Sequence, residues 1–211
     1  MKLFSLLSDS RKKAKVFIST ESLLSETKLQ LGNVSYLFDQ LEISHENAYE
    51  TEKKLGLNGV TLGVSQAELI ELLGEPQVSF KKKLKKGVHK ILFYQKSLPG
   101  FRMNIRFHFW DDVFFLGESI YEEIQNKYEF QIDQMVFKKY LNAKYDENSF
   151  FNKLKDCEGN LLYISKSVGF RILYLSANQD IKNAVRSEIQ IINSIKENKE
   201  QSLEKKLYDS L

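Results

Sequence analysis

Proline occurs twice and cysteine once in the 211 residues of this chain. So few prolines leave no place for a long polyproline linker. A lone Cys157 cannot form an intramolecular disulfide, which fits a reducing compartment, and a cytoplasmic protein is expected. No apolar run comes near the about 18 residues of a membrane span, so no membrane contact is expected. Met1-Lys2-Leu3-Phe4-Ser5-Leu6-Leu7 begins like a signal peptide, but Ser8-Asp9-Ser10-Arg11-Lys12-Lys13 ends the apolar run too early. With no small-residue cleavage site after it and no cysteine for lipidation near it, no export signal is expected.

Histidine is also scarce. His45, His89 and His108 stand 44 and 19 positions apart, with no paired His or Cys spacing, so no metal site is expected. Neither G-x-x-x-x-G-K nor G-x-G-x-x-G occurs, because Lys86-Gly87 and Val168-Gly169 are isolated; no nucleotide or other cofactor is expected. The most informative absence is local. Between Pro76 and Trp110 there is no acidic residue, while nine cations fall there: Lys81, Lys82, Lys83, Lys85, Lys86, Lys90, Lys96, Arg102 and Arg106.

What remains is a globular composition, 42% apolar and 28% charged, with 15 Phe, 10 Tyr and a net charge of +3. A chain of this length buries roughly 70% of its extended surface and needs no covalent staple. Three segments are expected: a mixed N-terminal one over 1–57, a helix with a four-stranded antiparallel meander over 58–125, and a second helix and hairpin unit over 126–211.

Val34, Leu37, Phe38 and Leu41 have helical spacing, with Asn33 as the N-cap. A surface helix is predicted over His45–Leu55, and short strands over Lys15–Ile18 and Lys28–Leu31. Ser65 and Glu68 form a capping box, Val64 and Leu69 a hydrophobic staple, and Leu69, Leu72 and Leu73 an apolar stripe that Gly74 and Pro76 terminate. Strands follow over Val78–Leu84 and Val88–Tyr94, around a Lys85-Lys86-Gly87 turn with Gly at positive φ. Phe101, Met103, Ile105, Phe107 and Phe109 alternate with Arg102, Asn104, Arg106 and His108, a strand with one core face and one polar face. Asp111-Asp112 turns the chain into Val113–Tyr121. Beyond it, Asp133 is placed as the cap of a helix carrying Val136, Phe137, Tyr140 and Leu141. A short helical piece around Phe150–Leu154 precedes a turn at Asp156–Asn160. Leu161–Ser165 and Phe170–Leu175 make a hairpin, and a long C-terminal helix over Ser176–Glu200 buries Ile181, Val185, Ile189, Ile192 and Ile195, with a fraying polar end. The class is α+β: short helices on an antiparallel meander, a smaller α+β unit and a long final helix.

Gly59-Val60-Thr61-Leu62-Gly63-Val64-Ser65, Glu68-Leu69-Ile70 and Leu72-Leu73-Gly74-Glu75-Pro76 together resemble the opening of SmpA/OmlA-like domains, which share a fold with the β-lactamase inhibitor protein. The resemblance covers residues 59–76 by motif and reaches about residue 121 by architecture. It implies a binding scaffold in which a small helical layer packs on an antiparallel sheet, and it carries no catalytic residue.

The chemistry-bearing residues are few. His108 with Asp111 and Asp112 is the nearest approach to an acid–base set, although turn chemistry explains the two aspartates equally well. Cys157, between Asp156 and Glu158, lacks the positive surroundings that make a thiolate reactive. The cations are the stronger feature. If Leu84 pairs with Val88, then Lys81, Lys83 and His89 share one face; a two-residue turn pairs the strands differently. A solvated edge hairpin protected by lysines reads the same residues. The expectation is a non-enzymatic protein-binding module, of inhibitor or immunity type, that meets an acidic protein through Lys81, Lys82, Lys83, Lys85, Lys86, Lys90, Arg102 and Arg106. The alternative is a nucleic-acid-binding accessory protein, with Phe93, Tyr94 or Trp110 for stacking. A third is an enzyme whose site is assembled by folding around His108, Asp111 or Asp112.

Overall fold

The structure is a computed structural model that describes residues 34, 38, 48–142, 152–166 and 169–208. In chain order its elements are β1 (Tyr49–Thr51), β2 (Gly56–Leu57), β3 (Val60–Thr61), α1 (Gln66–Leu73), β4 (Val78–Lys83), β5 (Val88–Leu98), β6 (Phe101–Trp110), β7 (Val113–Glu122), α2 (Asn126–Leu141), β8 (Lys153–Asp156), β9 (Leu161–Ser165), β10 (Phe170–Leu175) and α3 (Gln179–Tyr208). This is an α+β protein.

Local signals build α1 and the meander as expected. Ser65 Oγ accepts the Glu68 N–H, the Glu68 carboxylate accepts the Ser65 N–H at 2.7 Å, and Gly74 ends the helix at φ 81°. Leu69 is fully buried, while Leu72 is exposed, because an eight-residue helix lying on a sheet turns only one narrow stripe inward. At Asp111 and Asp112 φ is 45° and 73°, the two positive values a type I′ hairpin turn requires.

Among the described residues eight strands form one sheet in the order β1-β8-β9-β10-β7-β6-β5-β4, with only β1 parallel to its neighbour. Because β10 pairs with β7 from Phe170↔Tyr121 to Leu175↔Leu116, the strands beyond residue 126 continue the meander rather than forming a separate unit. The expected boundary at 125/126 is therefore a crossover within one sheet.

Apolar side chains cover both faces. On the first, Leu92, Tyr94, Met103, Ile105, Phe107 and Phe109 meet Leu69 of α1 and Ile132, Val136, Phe137 and Tyr140 of α2. On the second, Trp110, Phe115, Leu116, Leu173 and Leu175 meet Ile181, Val185 and Ile189 of α3, with Val34 and Phe38. Both of these last residues have helical backbone, as their spacing predicts, whereas Asn33, Leu37 and Leu41 and the strands expected over 15–18 and 28–31 lie outside the described residues. The one-sided strand expected at 101–109 is thus corrected: Asn104, Arg106 and His108 are as buried as the apolar residues between them. What was read as the wet face carries the second apolar cluster, on which α3, Val34 and Phe38 pack.

Four further expectations change. Within 45–55, Tyr49–Thr51 is an edge strand and Leu55 a buried core residue, since β8 offers a free edge there. Asp133 is no cap; α2 starts seven residues earlier, and the buried Asp133 carboxylate receives the Lys166 amine. Lys153 and Leu154 belong to β8, where pairing with β9 overrides helical spacing. The last helix extends to Tyr208 and leaves Ile195, Leu203 and Tyr208 exposed. Asn178 caps its start by accepting the Ile181 N–H at 3.1 Å.

Asp156 shows how the sheet end is locked. Its Oδ1 accepts the Glu158 and Asn160 N–H groups at 2.9 and 2.8 Å, and its Oδ2 accepts the Leu55 N–H at 2.9 Å and the Asn160 amide at 3.0 Å. Gly159 supplies φ 81° for the same turn. Asp156→Ala strands several buried donors at once, so a loss of about 3 kcal/mol is expected, read as a lower urea midpoint.

Candidate functional site

The basic stretch is positioned by the β4–β5 hairpin, whose register is Lys81↔Lys90, Lys82↔His89 and Lys83↔Val88. The Leu84 N–H donates to the Gly87 carbonyl at 2.9 Å, so Lys85 and Lys86 are the two central turn residues. Pairing of Leu84 with Val88 is excluded, and it is Lys82, not Lys81 or Lys83, that shares the His89 face. Gly87 does not take positive φ. Its glycine is needed for close approach: a Cβ there would lie 2.7 Å from both Asp111 Oδ2 and Trp110 Nε1. The turn is held from below by Glu188 of α3, whose carboxylate accepts the Lys85 and Lys86 N–H groups at 3.3 and 2.9 Å.

Of the eight residues expected to meet a partner, the structure brings five together. Lys81, Lys82, Lys83, Lys85 and Lys86 are exposed on the hairpin, and no ion pair joins them to a carboxylate among the described residues. The other three stand elsewhere. Lys90 is half-buried, 2.9 Å from Gln66 Oε1 and 3.5 Å from Asp112. Arg102 pairs with Glu122 at 3.4 Å and Glu123 at 3.1 Å. Arg106 is only 6% exposed and 3.8 Å from Glu118. Arg106 is therefore corrected from surface contact to core residue: it sits opposite Glu118 on the sheet face that carries the second apolar cluster. Phe93, Tyr94 and Trp110, the candidates for base stacking, are all buried in the core.

A second constellation escaped the sequence. His108 Nε2 lies 2.8 Å from Glu118 Oε1, and His108 Nδ1 lies 3.2 Å from His89 Nε2. The rings stack with centroids 5.4 Å apart, and Phe115 flanks them at 6.2 and 6.4 Å. None of His89, His108 and Glu118 is more than 2% exposed. Burial works against the Glu118 charge, but the His108 hydrogen bond and charge, with Arg106 and Arg171, outweigh it and hold the carboxyl below its usual range. With Glu118 ionised, His108 donates from Nε2, and its Nδ1 accepts from His89 when both rings are neutral. Burial, the His108 charge and Lys82 depress His89 to about 3. The three side chains form one buried hydrogen-bonded chain, with Phe115 against both rings. The pairing of His108 with Asp111 or Asp112 does not occur: Asp111 Oδ1 accepts the Val88 N–H at 2.8 Å, and Asp112 faces Lys90. A partial signal was available, since Glu118 interrupts an apolar strand, but the Asp-Asp turn alone sets Arg106 opposite Gly117, and only the bulge at Phe115 brings Glu118 opposite it.

Elsewhere, Cys157 is exposed and free. Among the described residues no group of three His, Cys, Asp or Glu side chains could hold a metal ion, and no helix is long and apolar enough to cross a membrane. No protein-family model, curated protein or solved structure matches the chain.

Burial of His89 makes stability depend on pH. His89 binds a proton near pH 6.5 when unfolded but only near 3 when folded, so between those values the unfolded chain holds the extra proton. Stability is then full above about pH 6.5 and falls as pH drops toward 3, by roughly 1.4 kcal/mol per unit. Glu118, depressed in the fold, is lost in the same direction. His89→Gln should flatten the fall in melting temperature between pH 6.5 and 4.5; an unchanged slope would show that His89 does not control it.

Proposed function

We propose that this chain is a non-enzymatic protein-binding module that docks an acidic protein surface against the lysine-bearing end of its β4–β5 hairpin, as inhibitor and immunity-type proteins do. The observation that carries the reading is the set of five exposed lysines without a described carboxylate partner. Five like charges on one hairpin repel one another, and a chain with 28 acidic residues has counter-charges that a different fold would bring to them. An apposed acidic surface relieves that repulsion and is steered toward it over a distance of about 8 Å at physiological salt.

Three features support this reading over its rivals. The hairpin is rigid at its turn, so little ordering entropy is lost on docking. The aromatic side chains that a nucleic acid would stack on are in the core. His89, His108 and Glu118 are each no more than 2% exposed, with Phe115 against both rings, which does not favour a site open to substrate. A helix followed by an antiparallel meander is also what the resemblance to SmpA/OmlA-like domains implies, and that resemblance points to a scaffold for binding.

Replacing Lys81, Lys82, Lys83, Lys85 and Lys86 by Glu tests the reading. The wild-type protein should retain acidic proteins from lysate at about 50 mM salt and release them steeply as salt rises. The variant should retain none while keeping its circular dichroism spectrum. Unaltered capture by the variant, or retention of nucleic acid in place of protein, overturns the proposal.

A further inference from the structure

We infer that the outer edge of β4 is a strand-addition site for an extended segment that alternates acidic and apolar residues, an inference that rests on the docking role proposed above and specifies its geometry. β4 is the last strand of the sheet, and among the described residues nothing pairs with its outer side. The Leu84–Gly87 hydrogen bond fixes which backbone groups are free there. In an antiparallel ladder hydrogen-bonded pairs recur at every second position, here Leu84/Gly87, Lys82/His89, Phe80/Ile91 and Val78/Phe93. The N–H and C=O groups of Ser79, Lys81 and Lys83 therefore point away from β5, each residue offering one donor and one acceptor.

The side chains around that edge select its occupant. Register places Lys81 and Lys83 on the α1 and α2 side of the sheet, in line with Lys90 and Phe109. Val78, Phe80 and Lys82 lie on the α3 side, in line with Phe93, Ile91 and His89. A ninth strand sets alternate side chains beside these two rows. Carboxylates would stand beside Lys81 and Lys83, and apolar groups beside Phe80 and Val78, which are both half-buried with part of their surface open at the edge. A second copy of this chain is a poor occupant, since β4 against β4 brings Lys81, Lys82 and Lys83 against their own kind. Edge lysines of this sort keep copies apart, and the same charges favour an acidic strand. The open end of the edge is short: Gln77 already uses its side-chain amide as a mock strand residue, accepting from the Gln95 N–H at 3.1 Å and donating to the Gln95 carbonyl at 3.4 Å. The occupant is thus a segment of about six residues.

The test uses the full chain and a synthetic peptide of about ten residues alternating Glu and Val, long enough to span the edge. On binding, the amides of Ser79, Lys81 and Lys83 should gain protection from hydrogen exchange, while those of Val78, Phe80 and Lys82 do not change. Lys81→Pro removes an outward donor without touching the ladder to β5, and it should weaken binding by at least about tenfold. Lys81→Thr loses the same charge but keeps the donor, and should weaken it by less than about threefold. Binding that leaves the three amides unprotected and tolerates Lys81→Pro overturns strand addition while leaving the basic docking role intact. Absence of peptide binding to the wild-type chain also overturns it, and failure of the docking role itself is read separately from the five-glutamate variant.

Discussion

A strand covered on both faces has no water to satisfy its polar side chains, and β6 is such a strand. Each buried polar group on its second face must find its partner on a neighbouring strand or remain a buried orphan, at a cost of about 1–3 kcal/mol. The partners form two diagonal sets. Gln95 donates to Asn104, which donates to Glu122; His89 meets His108, which meets Glu118. In both sets the β7 partner lies two residues beyond the one directly opposite, since Asn104 faces Ile120 and His108 faces Leu116. Such sets fix register more strictly than apolar packing does. A slip of one residue would carry His108 and Arg106 into the Phe107 and Phe114 layer.

The bulge in β7 belongs to the same constraint. Register passes from His108↔Leu116 to Phe109↔Phe114, leaving Phe115 as an extra residue. Phe115 and Leu116 are consecutive, yet both lie on the α3 side. That places Phe115 against both histidine rings and beneath Phe38, edge to face at 6.1 Å. One inserted residue therefore closes the polar trio that the strand pairing creates.

Elements with a local cause were legible in the sequence, and those with a distant cause were not. The Ser65–Glu68 box, the Gly74 stop, the Asp111-Asp112 turn and the alternation in β5, β6 and β7 depend on residues a few positions apart. Arg106 and His108 read as solvent-facing because the α3 residues that pack on the same sheet face begin about seventy positions later. Tyr49–Thr51 read as helical because its pairing partner, β8, lies more than a hundred positions away. The candidate interface divided in the same way. Lys81–Lys83 and Lys85-Lys86 were legible as a hairpin, while Lys90, Arg102 and Arg106 were separated from them by partners supplied from Gln66, Glu122 and Glu118.

The tie between Glu188 and the Lys85-Lys86 turn spans more than a hundred residues of chain. During synthesis the meander emerges well before α3, so those two amides are first hydrated. The hairpin tip reaches its final shape only when the ribosome has passed residue 188 and the last helix has folded back. A nascent chain that has not reached residue 188 would therefore carry the lysines on a looser turn.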